Sequence, residues 1–253
     1  MARRQGKFIL SGISLKAFPA DVKINHIFMR KGNFILSLWK RYLIFFIGIL
    51  IQSMGIALTV KSALGTPPIS SVPYVLSLAY PFTFGQTTFA VNMVFLLGQI
   101  ALLRRRFNPV QLLQIPAVFV FSCFIDLSMA LLGRLHPVFY GEEIFLAILG
   151  SALIGLGVAH QVIGRVLMLS GEGIVSAVSQ VTGIEFGWVK TGNDCFLVFL
   201  TVLFSFLHFG EINGVREGNL IAAVITGSLA RFFIRHLSRV DETGHLVYAP
   251  HFH

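Results

Sequence analysis

The chain has 253 residues, 55% of them hydrophobic and only 12% charged, with a formal net charge of +9. Soluble domains carry about a quarter of their residues as Asp, Glu, Lys and Arg, so this composition excludes a water-soluble globule and predicts an all-α membrane protein. Much of the positive charge lies between residues 1 and 41, against a single acid, Asp21. Because this basic stretch abuts an apolar run, orientation and attraction to anionic lipid account for it, and no nucleic-acid partner is expected.

Residues 1–38 alternate basic residues with apolar clusters too short to span, which predicts a cytoplasmic leader that is interfacial or disordered rather than a cleaved signal. Met29, followed by Arg30 and Lys31, offers a second start beside Met1. Residues 39–135 read as a first unit of three spans. The first span, about 42–60, closes at Lys61; in SALGTPPISSVP, Pro67 and Pro68 then forbid continued helix and Gly65 permits a turn. The apolar piece 69–82 is about 14 residues long, which suits a re-entrant or interfacial segment better than a crossing one. A second span, about 84–103, stops at Arg104-Arg105-Arg106, and a third, about 110–132, follows Asn108-Pro109 and contains Asp126.

A polar link over 134–143 leads to a second unit, 144–238. Its first span, about 144–167, carries the small residues Gly150, Ser151, Gly155 and Gly157, which suit close helix packing. The break SGEGIVSAVSQVTGIE follows, then a span of about 186–209 opening on FGWVKTGND, the link GEINGVREGN, and a last span of about 220–233 extended by Arg231, Arg235 and Arg239. Residues 239–253 read as a polar, frayed tail.

The two units are related. At one constant offset, Gly48, Gly55, Ala57, Ser77, Phe84 and Gly85 meet Gly150, Gly157, Ala159, Ser179, Phe186 and Gly187. Each unit holds three spans, an odd number, so the second enters the bilayer upside down relative to the first. Under the positive-inside rule the leader, Arg104–Arg106 and Arg231–Arg239 face the cytoplasm. The expectation is six transmembrane helices as two inverted three-span repeats, each with a short broken or re-entrant segment, in the bacterial cytoplasmic membrane with both termini cytoplasmic.

The stretches KSALGTPPISSVPYVLS, FIDLSM, LSGEGIVSAVSQVTG, EFGWVK with Asp194, and GVREGN together cover both units. In these the chain resembles the YczE/YitT-type family of bacterial membrane proteins. The resemblance implies an integral inner-membrane protein of about six spans and implies little about activity. Two departures are visible: Asn219 stands where the family pattern usually has Thr, and the residues before Met29 lie outside the resemblance.

An ionisable group inside a span costs on the order of 2.5–3.5 kcal/mol by insertion scales and marks a functional candidate. Lys190 and Asp194 stand at i and i+4 on one helical face. Asp126 has no cation at helical spacing, although Ser122, one turn back, can donate to it. Asp126 and Asp194 are expected to share a proton- or cation-coupled site with Lys190 as counter-ion. Glu172, between Gly171 and Gly173 in the second break, is a gate or substrate contact, and Asn92, which the offset matches to Asp194, is expected to hydrogen-bond between helices. Lys61, Arg216 and Glu217 are gate or rim residues, the last two as a pair. The two cysteines, Cys123 and Cys195, lie within spans and read as packing residues. No zinc, nucleophile-elbow or phosphate-loop motif is present, so neither an enzyme, a metal nor a cofactor is expected. The leading expectation is a secondary transporter or permease for a small solute or ion, with the lipid bilayer as surroundings and a homodimer suggested by the small number of helices. The alternative is a non-transporting scaffold or regulatory accessory protein.

Overall fold

The computed structural model describes residues 38–211, 213–240 and 246–248. Among them are eight α-helices: α1 (Leu38–Lys61), α2 (Pro68–Ala79), α3 (Phe84–Leu103), α4 (Gln114–Leu131), α5 (Tyr140–Gly164), α6 (Ser170–Thr182), α7 (Phe186–Phe209) and α8 (Glu217–Leu237). The expected leader, the alternative start at Met29 and most of the tail lie outside the described residues.

Five helical stretches are long and apolar enough to cross a membrane: Trp39–Lys61, Phe84–Arg106, Pro109–Leu131, Tyr140–Gly164 and Phe186–Phe209. The helix α8 has 21 residues but is not one of them. Asn219, Arg231, Arg235 and His236 dilute its apolar character. The two breaks fold as short helices, α2 with 12 residues and α6 with 13.

Local chemistry explains the boundaries. Pro68 sits in the first turn of α2, where its missing N–H costs nothing. Thr83 caps α3 in a reciprocal box: its Oγ1 accepts from Gln86 N at 3.1 Å, and its own N donates to Gln86 Oε1 at 3.1 Å. Gly183 and Gly210 end α6 and α7 at φ 74° and 70°, conformations that a Cβ would strain. After Arg104–Arg106 a short tight turn over Pro109–Leu113 precedes α4, so this helix begins later than the sequence suggests.

Helices α1 and α5 form the centre and run antiparallel. A Cβ on Gly48 would lie 2.7 Å from Gly157 O, and one on Gly55 2.7 Å from Gly150 O; the reverse contacts are 2.6 and 2.7 Å. Four glycines therefore bring two backbones into direct contact, as the small-residue stripe predicts. Around this pair, α4 packs on α1 and α8 on α5, while α2 packs on α3 and α7, and α6 on α7 and α3. Phe45, Ile49, Ile56, Phe121, Ile125 and Ile154 fill the core. α7 is the most outward-facing of the five apolar stretches, with 17% of its most apolar window buried against 56% for α1.

Two expectations are corrected here. Cys123 and Cys195 are exposed on helix surfaces that no other part of the described chain covers, so they do not pack the core. The tail is not uniformly frayed: β1 (Ser238–Val240) pairs antiparallel with β2 (Leu246–Tyr248), a ribbon that the strand-favouring Val and Tyr of LVY suit.

Candidate functional site

A cavity of about 710 Å³ opens where α1 ends, α2 turns into α3, α4 ends and α5 begins. Its charged and polar lining comprises Lys61, Ser77, Thr83, Asp126, His136 and Glu143, and its apolar wall includes Tyr74, Phe82 and Met129. Two of the sequence candidates, Lys61 and Asp126, thus share one space.

Asp126 is held from another helix. Its Oδ2 accepts from Thr83 Oγ1 at 2.6 Å and its Oδ1 from Gly85 N at 2.7 Å. The carboxylate therefore sits on the N-terminus of α3, where the unpaired N–H groups and helix dipole favour negative charge. Gly85 is required by this approach, since a Cβ there would fall 2.2 Å from Ser122 O and 2.6 Å from Asp126 Cγ. Ser122 is not the donor that the sequence suggests; its hydroxyl is buried and has no hydrogen-bond partner among the described residues. No contact joins Asp126 to Asp194, and the shared site expected for them divides into two places.

The second place lies on α6 and α7. Lys190 Nζ is 3.2 Å from both oxygens of Asp194, with side chains 39% and 25% exposed. Glu172, in the first turn of α6 and largely buried, is within electrostatic reach of both. Lys190 pairs with Asp194 alone, and Glu172 adds a second carboxylate within electrostatic reach of that pair. Asn92 is buried, but its amide donates to Thr88 O at 2.9 Å within its own helix, and among the described residues no bond from it to another helix is present.

Arg216 donates from Nη1 to Ala63 O at 3.1 Å, and its backbone N donates to Asn219 Oδ1 at 3.0 Å. It ties the start of α8 to the loop after α1 rather than standing at a free rim; the side chain of Glu217 lies outside the described residues. Ala63 is left-handed at φ 58°, a conformation that costs a residue with a Cβ on the order of 1–2 kcal/mol. Arg165, which the offset of the two units matches to Ala63, is left-handed at φ 50°. Its carbonyl accepts from Arg41 Nη2 at 2.7 Å.

Sequence reading missed the buried polar bonds. Gln99, Gln114 and Ser170 are each no more than 2% exposed. Gln99 Nε2 donates to Ser170 O at 3.1 Å, and Ser170 Oγ to Gln114 Oε1 at 2.9 Å. Across the molecule, the Ser71 and Thr201 hydroxyls lie 2.7 Å apart, fully buried. The signal was present: the offset matches Gln99 to Thr201, and a glutamine inside an apolar run needs a partner. Among the described residues no cluster of three or more His, Cys, Asp or Glu could hold a metal.

The comparisons bear on this arrangement. The profile of a family of unknown function, DUF6198, matches residues 39–235. The uncharacterized membrane protein YczE of Bacillus subtilis is 27% identical over 194 residues, covering 76% of this chain and 84% of that protein. The uncharacterized protein YyaS of the same organism is 32% identical over 122 residues, covering 47% of this chain and 58% of that one. No solved structure matches the chain. With α2 to α7 and all but the outermost residues of α1 and α8 inside the matched region, the chain is a membrane protein that belongs to the YczE-type family DUF6198.

Proposed function

We propose that the protein is a small secondary transporter or permease of the bacterial cytoplasmic membrane. It has six spans in two inverted three-span units, both termini cytoplasmic, and takes a small solute into the cavity beside Lys61 and Asp126. The observation that carries this reading is that exchanging the two halves maps the main contacts onto one another. Gly48 on Gly157 becomes Gly150 on Gly55, α2 on α7 becomes α6 on α3, and α4 on α1 becomes α8 on α5. The left-handed residues Ala63 and Arg165 obey the same exchange. Where it fails is equally informative: α4 packs along α3, whereas α7 is left largely uncovered. Two halves with the same contacts in unlike states are what alternating access requires. The cavity is then open at the outer face, and its counterpart would form on the cytoplasmic side around Arg165, Ser176, Gln180 and Glu185.

The test uses single cysteines at Leu78 and Gln180 after replacing Cys123 and Cys195 by serine. Leu78→Cys should react with an impermeant thiol reagent from outside and Gln180→Cys from inside. In a chain carrying both, a bulky adduct at 78 should slow reaction at 180 several-fold. Reactivity at 180 that ignores the adduct would favour the non-transporting scaffold.

A further inference from the structure

The cavity holds two opposite charges that do not satisfy each other. Lys61 occupies the last turn of α1 and Glu143 the first turn of α5. Each charge matches the dipole of its helix end, a cation at a C-terminus and an anion at an N-terminus. The antiparallel crossing brings them level. Gly55 faces Gly150, so at 1.5 Å rise per residue Lys61 and Glu143 both lie roughly 10 Å beyond that contact. Both line the cavity, yet among the described residues neither side chain makes an ion pair or a hydrogen bond; it is the neighbouring Glu142 that accepts from Val138 N. Asp126, by contrast, already has its two donors and adds a fixed negative wall. Tyr74, Phe82 and Met129 supply an apolar side.

We infer that this cavity is shaped for a small amphipathic zwitterion, an amino-acid-like solute. Its carboxylate meets Lys61, its ammonium meets Glu143, and its apolar part lies on the aromatic wall. A purely anionic solute would meet Lys61 but leave Glu143 unpaired beside a second negative group, Asp126, and a purely cationic one would meet Glu143 but leave Lys61 unpaired. The volume falls within the range of small-molecule sites. The inference rests on the reading of this cavity as the solute site.

The probes are L-leucine, L-leucine methyl ester, which lacks the carboxylate, and N-acetyl-L-leucine, which lacks the ammonium, with L-methionine and L-phenylalanine as further zwitterions. Binding is read as a shift in melting temperature of the purified full-length chain. A zwitterion should bind about 10-fold or more tightly than either blocked analogue, the loss expected for one charge-assisted contact. Lys61→Gln should erase the preference over the methyl ester and Glu143→Gln the preference over the N-acetyl form, with the ligand-free melting temperature reporting that each variant folds. Equal binding of the blocked analogues, or no binding of any of the three zwitterions, overturns the inference. Uptake of labelled L-leucine into vesicles separates it from the transport reading. Binding without uptake overturns transport and keeps the zwitterion site, while flux of an uncharged solute without zwitterion binding does the reverse.

Discussion

Gly157→Leu is expected to eliminate the folded protein, seen as loss of the monodisperse species after detergent extraction. A Cβ at this position would stand 2.6 Å from Gly48 O and 2.7 Å from the backbone N of Gln52. Backbone atoms of the central helix cannot rotate away as a flexible side chain can. Ordinary overpacking costs about 1–3 kcal/mol. Here α1 and α5 must separate along their whole crossing, which exceeds that range and approaches the total stability of a typical domain, about 5–15 kcal/mol. Gly55→Leu and Gly150→Leu should behave alike, because each places its Cβ 2.7 Å from a backbone oxygen of the other helix. Gly192→Leu is the control: nothing lies within 4 Å of its Cβ, and Gly is the weaker helix former. Folded yield should be retained there, and equal loss in both variants would refute the direct backbone contact.

The second large effect concerns Asp126. Removing the carboxylate in Asp126→Ala deletes two hydrogen bonds to a carboxylate, one from the exposed Thr83 hydroxyl and one from the half-buried Gly85 N–H. Bonds to such a group contribute about 1.5–3 kcal/mol when buried and less where solvent replaces them, so a loss of roughly 2–3 kcal/mol follows, measured as a fall in melting temperature or in the denaturant midpoint. Asp126→Asn keeps one acceptor for Gly85 N and should lose about half as much. Thr83→Ala should be less than additive with Asp126→Ala, since both remove the same 2.6 Å bond. A group serving only as an ion-coupling residue would give the opposite pattern: both Asp126 variants would remain as stable as the parent while any flux disappeared.

The contrast between these two sites shows what a sequence can carry. The glycine crossing is legible because small residues at a fixed offset have few other uses in an apolar helix, and the breaks because proline and glycine act through their own backbone geometry. Lys190–Asp194 is legible for a similar reason: helix geometry alone puts i and i+4 together. Asp126 is visible as a costly intramembrane acid, but its partners are Thr83 and Gly85 on another helix, and no spacing rule links them. The joint site with Asp194 was therefore a guess about distance that the packing does not fulfil. Arg41 on Gly164 and Arg165 is hidden for the same reason. Only the tertiary approach of two helix ends reveals which carbonyls need a donor.

The buried bonds of the two short helices also bear on how the chain is made. Ser71, near the start of α2, finds its side-chain partner in Thr201 on α7, and Gln99 of α3 finds a carbonyl at Ser170, where α6 begins. When the ribosome has delivered only the first half to the bilayer, both polar groups are already in place and neither partner has yet been synthesised. Until α6 and α7 arrive, the first half offers Gln99 only Gln114 and offers Ser71 only the Pro68 carbonyl. Completion of the second half is then the step that seals the first, and a nascent chain stalled before Thr201 would present quality-control proteases with an unfinished interior.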